Sequence, residues 1–163
     1  MANQTTSMHT VEDFLAQRRI ALVGISHNPK DFSHTLFNDL RRRGYDVIPV
    51  NPKLSKVEVE PCFARLQDIQ PPVEAALLMT SPEVTESVVR DCAQAGIRHV
   101  WMYAAARGGG SVSPNALSFC QEHGIAVVPG ECPYMFLSGA GFGHRVHGFI
   151  RKITGRYPQQ IAA

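Results

Sequence analysis

Arg19-Ile20-Ala21-Leu22-Val23-Gly24-Ile25-Ser26 is the stretch that decides how this chain folds. Its apolar run has the length and character of a strand buried on both faces, and the glycine after it lets the backbone turn sharply. Ser33 to Arg43 follows as a helix, with Ser33 as its cap, Leu36, Phe37 and Leu40 on one stripe, and Gly44 as its stop. Asp46-Val47-Ile48-Pro49-Val50 makes a second strand. That order is the first βαβ unit of a Rossmann-type fold, whose first turn holds a pyrophosphate at a helix N-terminus. Two parts of the dinucleotide pattern are missing. The G-x-G-x-x-G spacing is absent, and the second strand runs into Asn51-Pro52-Lys53, where an NAD site places an acid for the ribose hydroxyls. The frame predicts a phosphate-bearing nucleotide, and its details argue against NAD.

Outward from this unit, three more strand-length apolar runs appear at Ala75 to Met79, His99 to Met102 and Ile125 to Val128. Ser81-Pro82 opens a helix with a cap and a proline at the first helical position, and Gly96 ends it. Its predicted inner face is Val84, Val88, Val89, Cys92 and Ala95. Ser113-Pro114 repeats the device, with Leu117 and Cys120 inward and Gly124 at the end. Thr10, with Asp13 three residues on, predicts a short leading helix through Arg18 that covers one edge or end of the sheet. Pro61 to Ile69 predicts one more short helix before the Pro71-Pro72 stop. The fold class is therefore α/β: a Rossmann-like, doubly wound, parallel five-stranded sheet with helices on both faces. Right-handed crossovers give a predicted strand order of 3-2-1-4-5, with ligands expected at the carboxyl ends between strands one and four.

A length of 163 residues is expected to form a single domain, residues 1–163, that buries roughly 70% of its unfolded surface. Its core is expected over about residues 17–133, with a basic C-terminal extension over 134–163. The apolar share of 44% and charged share of 18% describe an ordinary globular chain, and a net charge of +2 is too small to argue for nucleic acid by itself, so that partner is not expected. Arg145, Arg151, Lys152 and Arg156 fall in the last stretch, which reads as a solvated tail. No apolar run is long enough to span a bilayer, so no membrane partner is expected. The polar start has no secretory pattern. Cys62, Cys92, Cys120 and Cys132 show neither a C-x-x-C pair nor zinc spacing, which fits buried thiols in a cytoplasmic, reducing setting.

Four connections converge on the carboxyl edge. Gly24 to Ser33 offers a close backbone approach, the Ser26 hydroxyl, the Lys30 cation and helix N–H groups near Ser33. Asn51-Pro52-Lys53 offers a flat apolar surface for an adenine and a cation for a ribose phosphate. Thr80-Ser81-Pro82 adds hydroxyls and another helix start. Tyr103 to Gly110 adds Arg107 and the flexible Gly108-Gly109-Gly110 patch, expected to be a plain loop and not a lid. Together these are predicted to present cations, hydroxyls and N–H dipoles without an acid, which suits a ligand with several phosphates and an adenine.

The run from Ile20 to Cys132 resembles the small stand-alone CoA-binding domain family, which shares the Rossmann-like fold of the succinyl-CoA synthetase α subunit. The similarity rests on Ala21 to Ser26, on Gly44-Tyr45-Asp46-Val47-Ile48-Pro49-Val50-Asn51-Pro52-Lys53, on Trp101-Met102 and on Glu131-Cys132-Pro133. The stretch from Gly44 to Pro52 is the most specific. The resemblance implies coenzyme A or an acyl-CoA as the ligand, with Gly24, Ser26 and Lys30, near Ser33, on the pyrophosphate. It implies Pro52 and Lys53, after Asn51, beside the adenine and 3′-phosphate, with Thr80 and Pro82 lining the far side. The chain departs from the family at Asp31-Phe32-Ser33-His34, where relatives carry an Arg-Pro-Ser-Tyr-like run. It departs again at Tyr103-Ala104-Ala105, where many carry Gln-x-Gly. Both departures fall at pyrophosphate and pantetheine contacts.

No catalytic residue is assigned. Cys132 is the strongest candidate for reactivity, because a thiol at a helix start has a depressed pKa and can pair with a CoA thiol. Against this stands a buried cysteine ending strand five. His144 and His147 superficially resemble a phosphohistidine loop, but a basic tail with solvent-facing histidines accounts for them better. No zinc set, P-loop, Ser-His-Asp or paired-carboxylate pattern can be assembled. The leading reading is non-catalytic binding of CoA or an acyl-CoA, as a sensor or regulator, with any partner protein unknown. The alternative is an NADP-type oxidoreductase or accessory protein in which Lys53 reads a 2′-phosphate. A third reading makes the basic tail a docking or nucleic-acid element.

Overall fold

The computed structural model describes residues 7–105 and 109–137. Seven strands and four α-helices follow in the order α1 (Met8–Ala16), β1 (Arg19–Val23), α2 (Phe32–Arg42), β2 (Asp46–Val50), β3 (Lys56–Val57), β4 (Glu60–Pro61), β5 (Ala75–Leu78), α3 (Pro82–Gln94), β6 (His99–Tyr103), α4 (Pro114–Glu122) and β7 (Ala126–Glu131). Short 3-10 turns occupy Leu66–Asp68 and Pro133–Met135. The main sheet is parallel throughout, in the order β2-β1-β5-β6-β7, and β3 and β4 pair as a small antiparallel hairpin.

The Rossmann-like α/β frame holds, but one strand assignment is corrected. Ala75–Leu78, the third apolar run along the chain, pairs with β1 and not beyond β2. The place beyond β2 is taken by a single parallel bridge from Val50 to Phe63. Counting that bridge as the third strand restores the 3-2-1-4-5 pattern, with β7 added at the far edge. A one-residue bridge has no apolar run, so it leaves no periodic signal. The crossover from this bridge reverses direction at β5, so the switch point lies between β1 and β5.

Strand residues alternate between two cores, as a pleated strand requires. Ile20 and Leu22 face α1 and α2 together with Phe14, Leu36, Phe37 and Trp101. Ala21 and Val23 face the other layer, with Ala76, Leu78, Val89, Cys92, Ala116 and Cys120. The leading helix α1 lies on the sheet face over β6 and β7, where Phe14 meets Trp101 edge-on at 5.2 Å between ring centroids. Trp101 is fully buried, and its indole N–H donates to the Glu131 carbonyl at 2.8 Å.

Local signals read correctly in kind and shift in detail. Ser7 and not Thr10 caps α1, accepting from the Thr10 N–H at 3.3 Å, and the helix stops at Ala16 before reaching Arg18. Asp31 and not Ser33 caps α2. Ser81 and Ser113 cap α3 and α4 with proline next, as predicted. On α3, Val84 is 48% exposed and Thr85 takes its place inside with Val89 and Cys92. The i, i+4, i+7 stripe allows Thr85 inward because Oγ1 donates to the Ser81 carbonyl at 3.0 Å. Between Pro61 and Ile69 the predicted helix is reduced to the 3-10 turn at Leu66–Asp68, after the bridge at Phe63.

Candidate functional site

The site begins with the end of β1. Gly24 adopts φ +89° and donates its N–H to the Val50 carbonyl at 2.9 Å. A Cβ there would lie 2.8 Å from the Met79 carbonyl oxygen and 2.9 Å from Thr80 Cγ2, so the chain after β5 packs directly on this glycine. This contact is the floor of the switch point.

Two concavities open on either side of it. The smaller, about 450 Å³, includes Gly24, Asn51, Pro52, Lys53, Arg65 and Thr80 in its wall. The larger, about 780 Å³, includes Asp31, Phe32, Thr80, Pro82, Tyr103 and Val112. Both volumes lie within the range of roughly 300–1,000 Å³ common for small-molecule sites. Thr80 belongs to both walls, so the two spaces adjoin over the ends of β1 and β5.

The smaller chamber is shaped by a polar lock. Asn51 Nδ2 donates to the Ile25 carbonyl at 2.7 Å, and its Oδ1 accepts from the Lys53 N–H at 2.8 Å. Asn51 thus ties the end of β2 to the turn after β1 and aims the exposed Pro52-Lys53 pair along the rim. Arg65, absent from the sequence expectations, supplies a second cation, held by Asp91 at 3.1 Å. Nothing in the run around Arg65 marks it; the Phe63 bridge to β2 brings it to the chamber.

The turn from Ser26 to Ser33 is internally satisfied. The Ser26 N–H donates to Ser33 Oγ at 3.0 Å, and Ser26 Oγ accepts from the Asn28 N–H at 3.1 Å. His34 Nε2 donates to the Ser26 carbonyl at 2.8 Å, because a carbonyl can only accept. The Ser33 hydroxyl donates to Asp31 Oδ1 at 2.5 Å, and the Ser33 N–H donates to the same oxygen at 2.9 Å. The expected free N–H groups near Ser33 are therefore corrected: Asp31 occupies them, and Ser33 itself is 1% exposed. Lys30 is exposed on this turn and lines neither space, its N–H donating to Asn28 Oδ1 at 3.0 Å.

The predicted absence of acids is also corrected. Asp31 lines the larger cleft and Asp91 the smaller chamber. Hydrogen bonds from the Ser33 hydroxyl and N–H hold the Asp31 carboxyl below the usual carboxylate range, so it is ionised at neutral pH. Beside it, Phe32 stacks on Tyr103 with centroids 5.5 Å apart and meets Tyr134 edge-on at 5.7 Å. Past Tyr103 the glycine loop is clasped at its base, where Ala104 bridges Gly110 and the Ala105 N–H donates to the Gly109 carbonyl at 3.1 Å. Arg107 lies outside the described residues, as do His144, His147 and the basic residues of the tail.

Cys132 does not have the character of an activated thiol. It is 8% exposed, and burial pushes its pKa up. Burial raises Cys62 in the same direction and takes Cys120 to about 11. Among the described residues there is no group of three or more His, Cys, Asp or Glu side chains that could hold a metal ion, and no helix long and apolar enough to cross a membrane.

The chain is similar to several known proteins. The family model described as "CoA binding domain" matches residues 18–138. Protein YneT of Bacillus subtilis, an uncharacterized protein, is 25% identical over 130 residues, covering 79% of this chain and 93% of that one. The α subunit of an ADP-forming acetate–CoA ligase II from Pyrococcus furiosus is 22% identical over 125 residues. That match covers 73% of this chain but only 27% of the ligase subunit. A solved hypothetical protein from Pyrococcus horikoshii superposes with a TM-score of 0.72 at 27% identity, covering 81% of this chain and 89% of that one.

Proposed function

The chain belongs to the CoA-binding domain family, and on that premise we propose that it binds coenzyme A or an acyl-CoA at the carboxyl edge of its sheet, without chemistry of its own, as a sensor or regulator. The observation that carries this reading is the pair of adjoining spaces at Thr80, with the lining cations among the described residues, Lys53 and the Asp91-paired Arg65, in the smaller one. Phosphate-bearing groups are drawn to cations, so the adenosine 3′-phosphate end belongs in the smaller chamber. Pro52 offers the adenine a flat face, Lys53 and Arg65 meet the ribose phosphate, and Asn51 holds that turn in place. The pyrophosphate crosses at Gly24 and Thr80, beside the turn that carries Ser26 and Lys30. Ser33 acts through Ser26 by fixing the turn, and Pro82 borders the pantetheine path. Coenzyme A would supply a thiol or thioester, and the raised pKa of Cys132 supports a site that holds this group without attacking it.

A thermal-shift panel of CoA, acetyl-CoA, NAD and NADPH tests the reading. CoA at 100 times its dissociation constant adds about 2.7 kcal/mol to stability. Lys53→Gln is expected to weaken CoA binding about five- to tenfold, the worth of one charge-assisted contact. A shift with NADPH and none with CoA overturns the proposal in favour of an NADP-type site.

A further inference from the structure

Among the described residues, the two spaces differ in charge. Lys53 and Arg65 both lie in the smaller chamber, where Asp91 pairs with Arg65 and leaves Lys53 as the excess charge among the described residues. Among the described residues lining the larger cleft, Asp31 is the one charged side chain. The rest of its wall is largely apolar, with the stacked Phe32–Tyr103 pair, Met79 and Val112. Among the described residues of this cleft, a phosphate-bearing end would face a carboxylate and no cation. An uncharged end would bury its surface against aromatic and aliphatic groups.

We propose that the larger cleft selects a neutral, apolar acyl group on CoA and disfavours an acyl group that ends in a carboxylate. This rests on the reading of the chain as a CoA binder, and it adds which thioester the site takes. Asp31 is the specificity-determining residue. Its carboxylate is fixed in place by two hydrogen bonds to Ser33, so it cannot swing away from an incoming anion without uncapping α2. Repulsion between two like charges a few ångströms apart at a protein surface is strong enough to change affinity several-fold. It also weakens as salt is added.

Titration calorimetry of the full chain with CoA, butyryl-CoA, hexanoyl-CoA and succinyl-CoA at low salt tests this. Butyryl and succinyl have the same four-carbon length, so the terminal carboxylate is the main difference between them. Hexanoyl-CoA is expected to bind about tenfold more tightly than CoA, because its methylenes leave water. Succinyl-CoA is expected to bind at least fivefold more weakly than butyryl-CoA, with the gap narrowing at higher ionic strength. Asp31→Asn, which keeps a capping side chain, is expected to bring succinyl-CoA to within twofold of butyryl-CoA. Equal affinities for CoA and hexanoyl-CoA, or a succinyl penalty that survives Asp31→Asn, overturn the inference while leaving CoA binding intact. No binding of any of the four removes the CoA reading itself, and the inference with it.

Discussion

A single glycine shows how little room the switch point has. Gly24 is legible in the sequence as a turn after an apolar strand, but not as a packing partner of Met79 and Thr80, more than fifty residues away. Gly24→Ala would combine a left-handed backbone with overlap on a main-chain oxygen at 2.8 Å. The expected loss is about 2–4 kcal/mol, from conformational strain plus overpacking. In a chain of this size that lowers the melting temperature by roughly 5–15 °C. Gly44 makes the control, since it has a similar φ of +87° with nothing within 4 Å of an added Cβ. Gly44→Ala should cost only about 1–2 kcal/mol. Equal losses in calorimetric melts of the two variants would show that packing on β5 plays no part. Asn51 and Ser33 carry the same lesson: by residue type both suit a ligand contact, and in the fold their polar atoms also hold turns together. Which partner a polar atom finds depends on residues distant in sequence.

At the scale of an element, α2 shows a residue used twice. Asp31 caps the helix and also faces the larger cleft. Both Asp31 and Ser33 are good caps by type, so type alone does not decide between them. The choice falls to Asp31 because the Ser33 hydroxyl is already engaged with the Ser26 N–H and is buried beneath the turn. Asp31→Ala is expected to destabilise the protein by about 1 kcal/mol at pH 7. The Ser33 hydroxyl and N–H lower the carboxyl's pKa in the folded state. The stability it adds is therefore fully present above the unfolded carboxyl pKa of about 4 and is lost as pH falls through the folded value. The gap between the denaturation curves of the wild type and Asp31→Ala should hold above about pH 4 and close as pH falls below it, through the folded value. A gap that stays constant from pH 7 to pH 3 would show that the carboxylate does not carry the cap.

For the whole molecule, the parallel sheet fixes where a ligand leaves its mark. β1 and β5 are flanked by strands on both sides and covered on both faces. Their amides should be among the slowest to exchange in the free protein, because they open only with the sheet. Saturating CoA is expected to slow exchange over residues 24–33, 51–54 and 79–83, the turns around Thr80. The turn from Gln121 to Ile125, at the amino end of β7, should not change. Hydrogen-exchange mass spectrometry checks this, and protection confined to the amino ends of the strands would place the ligand elsewhere.

The apolar runs, the Ser-Pro helix starts and the missing NAD acid are local, and they determined the α/β class, the parallel sheet and the Asn51-Pro52-Lys53 clue by sequence alone. Burial of a strand on two faces demands an apolar run wherever that strand goes, so the run predicts a strand without saying who its neighbours are. Tertiary structure decided the rest: the Phe63 bridge outside β2, the arrival of Arg65 at the smaller chamber and the stacking of Phe32 on Tyr103. It also turned Asp31 from an unexplained departure into the only charged side chain among the described residues of the larger cleft. These depend on contacts between distant segments, and such contacts are set by packing, which no local pattern records.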